Sequence, residues 1–483
     1  RPVATYLGVD LGTTATKAAV IDASGTVLAR SRVAHPDARS GSVGRADPQV
    51  WRRSVIAACR ALGSIAGSVD AMGIVSLCPA AVLLDSAGTP TTTAVTWDHP
   101  QLATHCQQIE SVLGPAHHAR TGNQLNPSTT LAVSYRFFTQ CEPEALQRAT
   151  TFGLVTTWLG QWLTGTSGLD PTQASYTGLF SLVDGTWEWM REAASAIGLP
   201  PGILPPIRAT LGVDGYLTPE AAAELALPPG IPVVVGGGDT PAGAYLMGVS
   251  PGGPALLTLG TTHVVTRSHS RPDERGAALQ RADVRPGQWL THGVTNGGDG
   301  LAFGATLLAG MGVPGVRELI QLAAAAPPGD TASAPVFIPH VLPERGPLWL
   351  ASPVTALLDL LPRTPVGSAC WGIVEGVFFV DRMIIDYSVP TEQTLIVATP
   401  SERDPLLPQV LADCLGRELH VADETHLSAV GAAAMCAEAL GDIRVPTPRT
   451  SRVTPRGEWA SHVAARWTQY RNTWESVTGR APL

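Results

Sequence analysis

The chain has 483 residues, of which 44% are hydrophobic and only 15% charged, against about 25% charged residues in an average soluble domain. This length is sufficient for two or three domains with separate cores. Lys and Arg total 32 and Asp and Glu total 40, which gives a net charge of −8 at pH 7. This acidic balance argues against a nucleic-acid binder that relies on overall positive charge. The chain contains a single lysine, Lys17, which lies just after a Gly-Thr-Thr segment.

The seven cysteines are scattered and form no Cys-x-x-Cys pair, so the sequence indicates neither a disulfide framework nor a zinc knuckle. No apolar run approaches the roughly 18 to 20 residues that span a bilayer. The first residues lead into a predicted strand rather than a signal peptide. We therefore expect a cytoplasmic protein with no membrane partner.

Strands and helices alternate along the chain. In the first half, apolar runs and turn residues predict strands at 6–10, 15–21, 26–30, 71–75 and 81–85, turns at 11–14 and 22–25, and a helix at 48–62. In the second half they predict a strand at 395–399 and helices at 405–416, 428–440 and 458–477. The alternation indicates an α/β fold. In the last helix, Trp467, Tyr470 and Trp474 recur at helical spacing, which is typical of core packing.

One short sequence occurs twice. Leu-Gly-Thr-Thr at residues 11–14 recurs at residues 259–262, each time after an apolar strand and before a β-rich segment. The identical context predicts a duplicated domain, with two similar halves facing each other across a cleft. The Gly- and Pro-rich segment 231–253 is the predicted junction between them.

The first Gly-Thr-Thr turn has charged neighbours. A turn of Gly and Thr between two strands can aim backbone N–H groups and hydroxyls at one anion, and two such turns could hold a polyphosphate. Asp10 precedes the first turn, where a carboxylate would repel phosphate unless a cation lay between them, so we interpret Asp10 as a ligand of Mg²⁺ or of its water. Lys17 would add positive charge near the transferred group. The alternative is a pair of ordinary hairpin turns, but two copies with a preceding acid favour phosphate binding.

A second signal is the Gly-Gly-Gly-Asp segment at residues 236–239. It follows an apolar strand at 233–235 and presents Asp239 at the carboxyl end of that strand, where α/β proteins bind ligands. In phosphoryl transfer, an Asp at such a position can accept the proton of the attacking hydroxyl and orient it. An Asx-capped turn into the following helix would explain Asp239 but not three consecutive glycines.

These motifs belong to an ordered series that resembles the FGGY carbohydrate kinase family, nearest to its xylulokinase-like branch, from residue 6 to about 441. In the first half, the matching segments are Gly-Val-Asp-Leu-Gly-Thr-Thr at 8–14 with Lys17, Val-Leu-Leu-Asp at 82–85 with Gly88, Trp-Asp at 97–98, Thr-Gly-Asn at 121–123, Leu-Thr-Gly at 163–165, Asp170 with Ala-Ser at 174–175, Leu-Pro at 204–205 and Gly-Gly-Gly-Asp at 236–239. In the second half, they are Gly-Thr-Thr at 260–262, Asn-Gly-Gly at 296–298, Phe-Ile-Pro at 337–339, Glu-Arg-Gly-Pro at 344–347, Glu-Gly at 375–376, Gln409 with Ala-Asp at 412–413, and Gly-Ala-Ala at 431–433. So many matches in one order favour the family over chance similarity.

The resemblance implies two ribonuclease-H-like domains of the actin and hexokinase type, which close on ATP-Mg²⁺ and a polyol or ketose. The implied divisions are an N-terminal domain at 1–245, a C-terminal nucleotide-binding domain at 246–445 and a helical extension at 446–483 packed on the second domain. A homodimer is a family expectation. Asp239 resembles the catalytic base and Asp10 the metal-linked acid, with Lys17 beside them. The implied ATP contacts are Thr13, Thr14, Gly260, Thr261, Thr262, Gly298, Ala398 and Thr399, and the implied acceptor contacts are Cys78, Pro79, Trp97, Asp98 and Asp239.

Several residues depart from the family pattern. The loop at 77–80, which we call the acceptor loop, reads Leu-Cys-Pro-Ala where xylulokinase-like members usually have Gln-Met-His-Gly. The loss of polar groups favours an acceptor that lacks a hydroxyl of the usual sugar, or a larger and less polar one. Ala398-Thr399 replaces a Gly-Gly on which adenine lies, and the β-branched Thr adds bulk. His-Pro-Gln at 99–101 and Thr240 after Asp239 are further departures.

The prediction from these residues is an ATP-dependent kinase that phosphorylates a hydroxyl of a sugar, polyol or cyclitol-like small molecule. The alternative is a non-kinase homologue, either a pseudokinase or a cleft used for another reaction, motivated by the acceptor loop and Thr399. Cys78 could be a nucleophile, but no histidine is evidently placed to activate it, and free Cys usually packs as a small apolar residue. His99 and His263 could transfer protons, although we expect structural hydrogen bonds for both.

Overall fold

The computed structural model describes residues 4–35, 43–399, 405–442 and 445–483. The strands of the first half are β1 (Thr5–Leu11), β2 (Ala15–Asp22), β3 (Val27–Ala34), β4 (Arg45–Ala46), β5 (Ala71–Ser76), β6 (Ala80–Leu84), β7 (Ala94–Thr96), β8 (Thr151–Leu154), β9 (Phe180–Ser181), β10 (Glu188–Trp189), β11 (Gly215–Tyr216) and β12 (Pro232–Gly238). The helices of this half are α1 (Pro48–Arg60), α2 (Leu102–Leu113), α3 (Ala116–Thr121), α4 (Thr130–Cys141), α5 (Pro143–Arg148), α6 (Val155–Thr164), α7 (Pro171–Ala174), α8 (Arg191–Ala196), α9 (Pro219–Leu225) and α10 (Asp239–Leu246).

The second half repeats the alternation. Its strands are β13 (Ala255–Leu259), β14 (His263–His269), β15 (Leu279–Ala282), β16 (Trp289–Thr295), β17 (Val336–His340), β18 (Val354–Leu358), β19 (Leu395–Ala398), β20 (Leu419–Ala422) and β21 (Thr450–Val453). Its helices are α11 (Gly297–Leu307), α12 (Val316–Ala325), α13 (Pro328–Thr331), α14 (Val366–Ser388), α15 (Leu407–Leu415), α16 (Leu427–Ala439) and α17 (Gly457–Thr478).

The two main sheets share a core of five strands with the same topology. The first has the strand order β11-β12-β5-β1-β2-β3 and the second has the order β15-β16-β14-β13-β19-β20-β21. In each sheet an antiparallel hairpin leads into a third antiparallel strand, and two further strands lie parallel to the first strand of the hairpin. This arrangement confirms the predicted α/β fold with two ribonuclease-H-like domains and explains why Leu-Gly-Thr-Thr occurs twice. Smaller sheets are formed by β4-β7-β6-β8, β9-β10 and β17-β18.

The burial of each strand follows its sequence pattern. In β1, six of the seven residues are buried, because helices cover both faces of a central parallel strand. In β3, more and less exposed side chains alternate along Val-Leu-Ala-Arg-Ser-Arg-Val-Ala, as the period of two requires for a strand with one solvated face.

Helices α10 and α16 join the two domains. They lie in one apolar cluster that also includes residues of both main sheets. Helix α16 approaches the first sheet so closely that a Cβ on Gly8 or Gly73 would collide with its backbone carbonyls, and a Cβ on Gly431 would collide with the carbonyl of Ala242 in α10. The predicted junction at 231–253 is thus built from a strand of the first sheet, β12, and from α10 packed between the domains.

The last part of the chain packs on the second domain. Helix α17 contacts α14 and β17, and Tyr470 and Trp474 are buried in the core of that domain, as the aromatic spacing predicted. Arg466 of α17 forms a buried ion pair with Glu375, with Nη2 and Oε2 2.5 Å apart. This segment also contributes a strand, because β21 pairs with β20 at the edge of the second sheet. Within the described ranges, no helix has both the length and the apolar character needed to cross a bilayer.

Candidate active site

The candidate site lies where parallel strands of the first sheet end. Strands β1 and β12 flank β5, and Leu11 and Gly238 both lie beside Ser76. The carboxyl ends of parallel strands meet at one edge of a sheet, which is where α/β proteins bind ligands. The first Gly-Thr-Thr turn, the acceptor loop and Asp239 therefore emerge together at this edge.

Asp10 and Lys17 face each other across the first hairpin. They are directly opposed in the antiparallel register, so their side chains lie on the same face of the sheet. Burial raises the pKa of Asp10 to about 7, and the charge of Asp239 adds to this effect while that of Lys17 opposes it. Oδ1 of Asp10 is buried and has no hydrogen-bond partner among the described residues. Thr14, at the tip of the turn, is exposed.

Asp239 is the first residue of α10, and the backbone before it requires glycine. Gly237 has a φ of +83°, and a Cβ there would lie 2.5 Å from Thr172 Oγ1. Oδ1 of Asp239 accepts hydrogen bonds from Thr240 N at 2.7 Å and from Thr240 Oγ1 at 3.4 Å. Burial raises the pKa of the Asp239 carboxyl, although these two hydrogen bonds and the charge of Lys17 oppose the shift. Thr240, a departure from the family pattern, thus orients the carboxylate.

The acceptor loop continues from β5 beside this carboxylate. Leu77 N donates to Leu11 O at 2.7 Å, which ties the loop to the first hairpin, and the Cys78-Pro79 peptide bond is cis. Burial raises the pKa of the Cys78 thiol well above its usual value, with contributions from Asp239 and Asp170 and an opposing one from Arg281. A thiol held protonated in this way is a poor nucleophile, in agreement with a packing role.

Trp97 and Asp98 lie next to the acceptor loop, because β7 pairs with β6 and Ala80 is opposite Thr96. Trp97 is partly buried against the core of the first domain. Oδ1 of Asp98 accepts a hydrogen bond from Thr96 Oγ1 at 2.5 Å. His99 packs on Phe137, with ring centroids 4.6 Å apart, and its Nδ1 accepts a hydrogen bond from Gln101 N at 3.3 Å, which supports a structural role for this histidine.

The second Gly-Thr-Thr turn is supported by the start of α11. Gly260 and Thr261 are exposed, and Thr261 O accepts a hydrogen bond from Asp299 N at 3.2 Å. A Cβ on Gly298 would collide with the carbonyl oxygen of Gly260, so glycine allows the helix to begin directly on the turn. Behind the turn, Nδ1 of His263 is 2.7 Å from an oxygen of Asp381. His263 is therefore a buried structural histidine.

Strand β19 ends beside this second turn, since Ala398 is opposite Thr258 of β13. Ala398 is buried, and Oγ1 of Thr399 is buried with no hydrogen-bond partner in the described part of the chain. The residues that follow, 400–404, lie outside the described residues. The second-domain residues implied to contact ATP thus occupy the equivalent edge of the second sheet, while Thr13 and Thr14 lie at the first.

One residue near the site carried no sequence signal. Arg281, on β15 of the second domain, reaches the first domain, where Nη1 donates to Asn123 Oδ1 at 3.1 Å. Its Cζ lies 3.6 Å from the centroid of the Tyr176 ring. Asn123 belongs to a segment with the family pattern, but Arg281 lies in none, and no local periodicity or motif distinguishes it from the other arginines.

Two sheets of ribonuclease-H topology, joined by packed helices and each with a Gly-Thr-Thr hairpin, define a two-domain phosphotransferase of the actin and hexokinase type. Models of the FGGY family of carbohydrate kinases match residues 5–245 (N-terminal domain) and 255–440 (C-terminal domain). The chain therefore belongs to this family, and it is a sugar kinase.

Individual relatives support the xylulokinase-like branch. The xylulose kinase of Streptomyces rubiginosus is 30% identical over 446 residues, which cover 90% of this chain and 88% of that protein. The apulose kinase of Pectobacterium atrosepticum is 26% identical, with 90% and 89% covered. Among solved structures, xylulose kinase from Rhodospirillum rubrum superimposes with a TM-score of 0.83 and 25% identity, covering 98% of both chains.

Proposed function

We propose that the chain phosphorylates a hydroxyl group of a sugar, polyol or cyclitol-like small molecule with ATP, and that Asp239 is the general base. The observation that carries this proposal is the convergence of Asp10, Lys17 and Asp239 at one sheet edge, next to the acceptor loop. The charges of Asp239 and Lys17 both shift the pKa of Asp10, and the charge of Lys17 also shifts the pKa of Asp239, as expected for groups around a single reaction centre.

In the proposed reaction, the acceptor oxygen forms a bond to the γ-phosphorus of ATP while the bond from that phosphorus to the β,γ-bridging oxygen breaks. The hydroxyl proton passes to Asp239, and ADP leaves with the electron pair of the broken bond. Because burial raises its pKa, the Asp239 carboxylate is a stronger base than an ordinary surface Asp. Thr240 would hold it in place through the two hydrogen bonds to Oδ1.

The residues at the first hairpin fit Mg²⁺. Oδ1 of Asp10 is buried without a partner among the described residues, and a cation beside it would stabilise the charged form that burial disfavours. The described residues contain no group of three or more His, Cys, Asp or Glu that could hold a metal by themselves. Kinase sites commonly bind Mg²⁺ through one or two carboxylates and the substrate phosphates, so Asp10 would suffice. When bound, Mg²⁺ would neutralise charge on the phosphates.

The two turns would bind the phosphates of ATP. Thr13 and Thr14 in the first domain and residues 260–262 in the second offer hydroxyl and backbone N–H donors to phosphate oxygens. Lys17 would stabilise the negative charge of the transferred group. Gly298, Ala398 and Thr399 would lie toward the nucleoside.

The family does not decide the acceptor, because xylulose and apulose kinases resemble the chain to similar degrees. Cys78, Pro79, Trp97 and Asp98 would contact the acceptor together with Asp239. Family membership favours the kinase over the non-kinase alternative derived from Thr399. Isothermal titration with ATP-Mg²⁺ separates these two functions, since the alternative predicts no binding at millimolar nucleotide.

The direct test is an ADP-release assay over a panel of ketoses, polyols and cyclitols with wild type and Asp239→Asn. We expect the variant to lose about 1,000-fold in kcat while its thermal unfolding is unchanged within a few degrees. Asp214→Asn is the matched control, because Asp214 is also a carboxyl with a raised pKa but accepts a hydrogen bond from Val235 N, within β12 rather than at its carboxyl end. Retained turnover in Asp239→Asn would remove Asp239 as the base.

A further inference from the structure

Arg281 is a buried cation at the interface of the two domains. Its side chain is on β15 of the second domain, and only 3% of the residue is exposed. The guanidinium stacks on Tyr176 of the first domain at 3.6 Å. Arginine is rarely buried to this degree without a partner of opposite charge.

The hydrogen-bond acceptors around Arg281 are all neutral. Nη1 donates to Asn123 Oδ1 at 3.1 Å, to Gln280 O at 2.7 Å and to Ser175 O at 3.5 Å. Nε is buried without any partner among the described residues. The Tyr176 hydroxyl is a further neutral partner of this side chain. Because burying a charge without a counter-charge is costly, an anion bound to this guanidinium would be stabilised.

Other charged groups nearby do not neutralise Arg281. Asp170 forms no ion pair with Arg281 among the described residues, and its oxygens accept hydrogen bonds from Thr172 N, Gln173 N and Thr210 Oγ1. His292 is buried, and burial together with Arg281 and Arg345 lowers its pKa to about 3, so it is neutral. Arg345 has the adjacent carboxylate of Glu344 as its local counter-charge.

Helix α7 connects Arg281 with Asp239. At one end of the helix, Thr172 Oγ1 accepts a hydrogen bond from Gly238 N at 3.2 Å, and Gln173 Nε2 donates to Gly237 O at 3.0 Å. The other end leads into Tyr176, and α7 has only four residues, or about 6 Å of helix. Asp239 and Arg281 shift the pKa values of both Cys78 and Tyr176, Asp239 upward and Arg281 downward. Cys78 of the acceptor loop also packs against the apolar cluster that contains Ala174 of α7 and Ala282, the neighbour of Arg281, so both charged groups lie near this loop.

We propose that Arg281 binds a carboxylate of the acceptor, so that the acceptor is a sugar acid whose reacting hydroxyl lies at Asp239. The inference rests on the proposed kinase function and names its acceptor class. It also accounts for the acceptor loop, where Leu-Cys-Pro-Ala has lost the polar side chains of the family pattern, because Arg281 would supply the recognition instead. One guanidinium balances the single charge of a carboxylate, whereas a phosphate monoester carries a charge of about −1.5 to −2.

The test compares acceptors that differ only in charge. Aldonic acids of four to six carbons are assayed beside the alditols with the same carbon skeleton and beside the corresponding sugar phosphates, with wild type and Arg281→Met. For wild type we expect the best aldonate to exceed its alditol in kcat/KM by at least about 100-fold. In Arg281→Met this preference should disappear, mainly through KM, while kcat/KM for the alditol changes less than about threefold.

Two further variants separate ligand binding from a structural role. Arg281→Lys keeps the charge but loses the planar fork, so part of the aldonate preference should return. Arg285→Met is the control, because Arg285 lies on the same β-hairpin as Arg281 but pairs with Glu438; its acceptor preference should equal that of wild type. A purely structural Arg281 would lower aldonate and alditol turnover equally, which would overturn the proposal.

The identity of the phosphorylated acceptor distinguishes a failure of the carboxylate site from a failure of the kinase function. Phosphorylation of neutral sugars or of sugar phosphates in preference to aldonates would overturn the carboxylate site and leave the kinase function intact. If no acceptor is phosphorylated, the proposed function fails, and calorimetric titration of wild type and Arg281→Met with an aldonate decides the site separately. Aldonate binding that wild type has and Arg281→Met lacks would support it, and absence of binding to wild type would overturn it. If Arg281→Met does not fold, Arg281→Lys is titrated instead: weaker aldonate binding than in wild type would support the site, and equal binding would overturn it.

Discussion

The two Gly-Thr-Thr hairpins have the same sequence and differ in the chemistry around it. In the first hairpin, Leu11 pairs with Thr16, and the oppositely charged residues Asp10 and Lys17 are paired on the two adjacent strands. In the second, Leu259 pairs with His263, so the turn is one residue shorter. The residue at the position of Asp10 is Thr258, which faces Val264.

The duplication therefore kept the strand-turn-strand arrangement, whereas an opposed pair of charged residues on the two strands occurs in the first hairpin and not in the second. The first hairpin can engage a metal and the transferred group, whereas the second offers neutral donors and is supported by the start of α11. The repeated motif predicts a hairpin in each domain, and the residues that flank the motif predict the chemistry of each hairpin.

The largest expected effect comes from removing the charge of the first hairpin. Asp10→Asn should lower kcat/KM by roughly 1,000-fold at saturating Mg²⁺, because a neutral amide cannot balance a cation between enzyme and phosphate. The equivalent change in the second hairpin, Thr258→Val, should cost less than about fivefold. Steady-state kinetics of both variants measure the contrast, and equal losses would mean that the hairpins share one role.

A smaller effect is expected where the second hairpin meets α11. Gly298→Ala would place a methyl group against the Gly260 carbonyl, and overpacking of this kind costs about 1 to 3 kcal/mol. Displacement of the turn should raise the KM for ATP about tenfold and leave the KM for the acceptor unchanged. Gly310→Ala, where a Cβ would meet nothing within 4 Å, is the control. An unchanged KM for ATP in Gly298→Ala would mean that this turn does not contribute to nucleotide binding.

The smallest effect is on stability and concerns the carboxyl of Asp10. Its pKa is raised from 3.8 to about 7 in the folded chain, so between these values the folded state binds a proton that the unfolded state has released. Stability therefore falls as pH rises through this window, and Asp10→Asn removes this loss. The difference in Tm between the variant and wild type, measured without nucleotide, should grow from about pH 4 to about pH 7. A constant difference would mean that Asp10 is ionised throughout.

Local patterns in the sequence predicted the elements and much of the candidate site. The strands around both turns, the helices at the end of the chain and the position of Asp239 after three glycines all depend on residues close in sequence. The packing of α16 on the first sheet was not predictable, since its Ala-rich pattern predicts a helix but not which sheet covers it. Gly8 and Gly73 allow that close contact, but their role can be recognised only from the structure.

The position of Arg281 near the site was likewise not predictable from the sequence. This arginine meets Tyr176 and Asn123 because β15 of one domain packs against α7 of the other, and such a contact leaves no periodicity or spacing in either segment. The altered acceptor loop was visible in the sequence, and it indicated that this chain recognises its acceptor differently from xylulokinase-like members of the family. The group that would replace the lost polar contacts became visible only in three dimensions.

The central claim is phosphoryl transfer from ATP to an acceptor hydroxyl. The most direct measurement uses ATP labelled with ¹⁸O at the non-bridging oxygens of the γ-phosphate, with the wild-type chain, Mg²⁺ and a mixed pool of aldonates, alditols and ketoses, followed by mass spectrometry. We predict a phosphorylated acceptor that carries all of the label, formed in equal amount with ADP and about 1,000-fold more slowly with Asp239→Asn. Labelled inorganic phosphate as the only product, or no consumption of ATP with any acceptor, would contradict it.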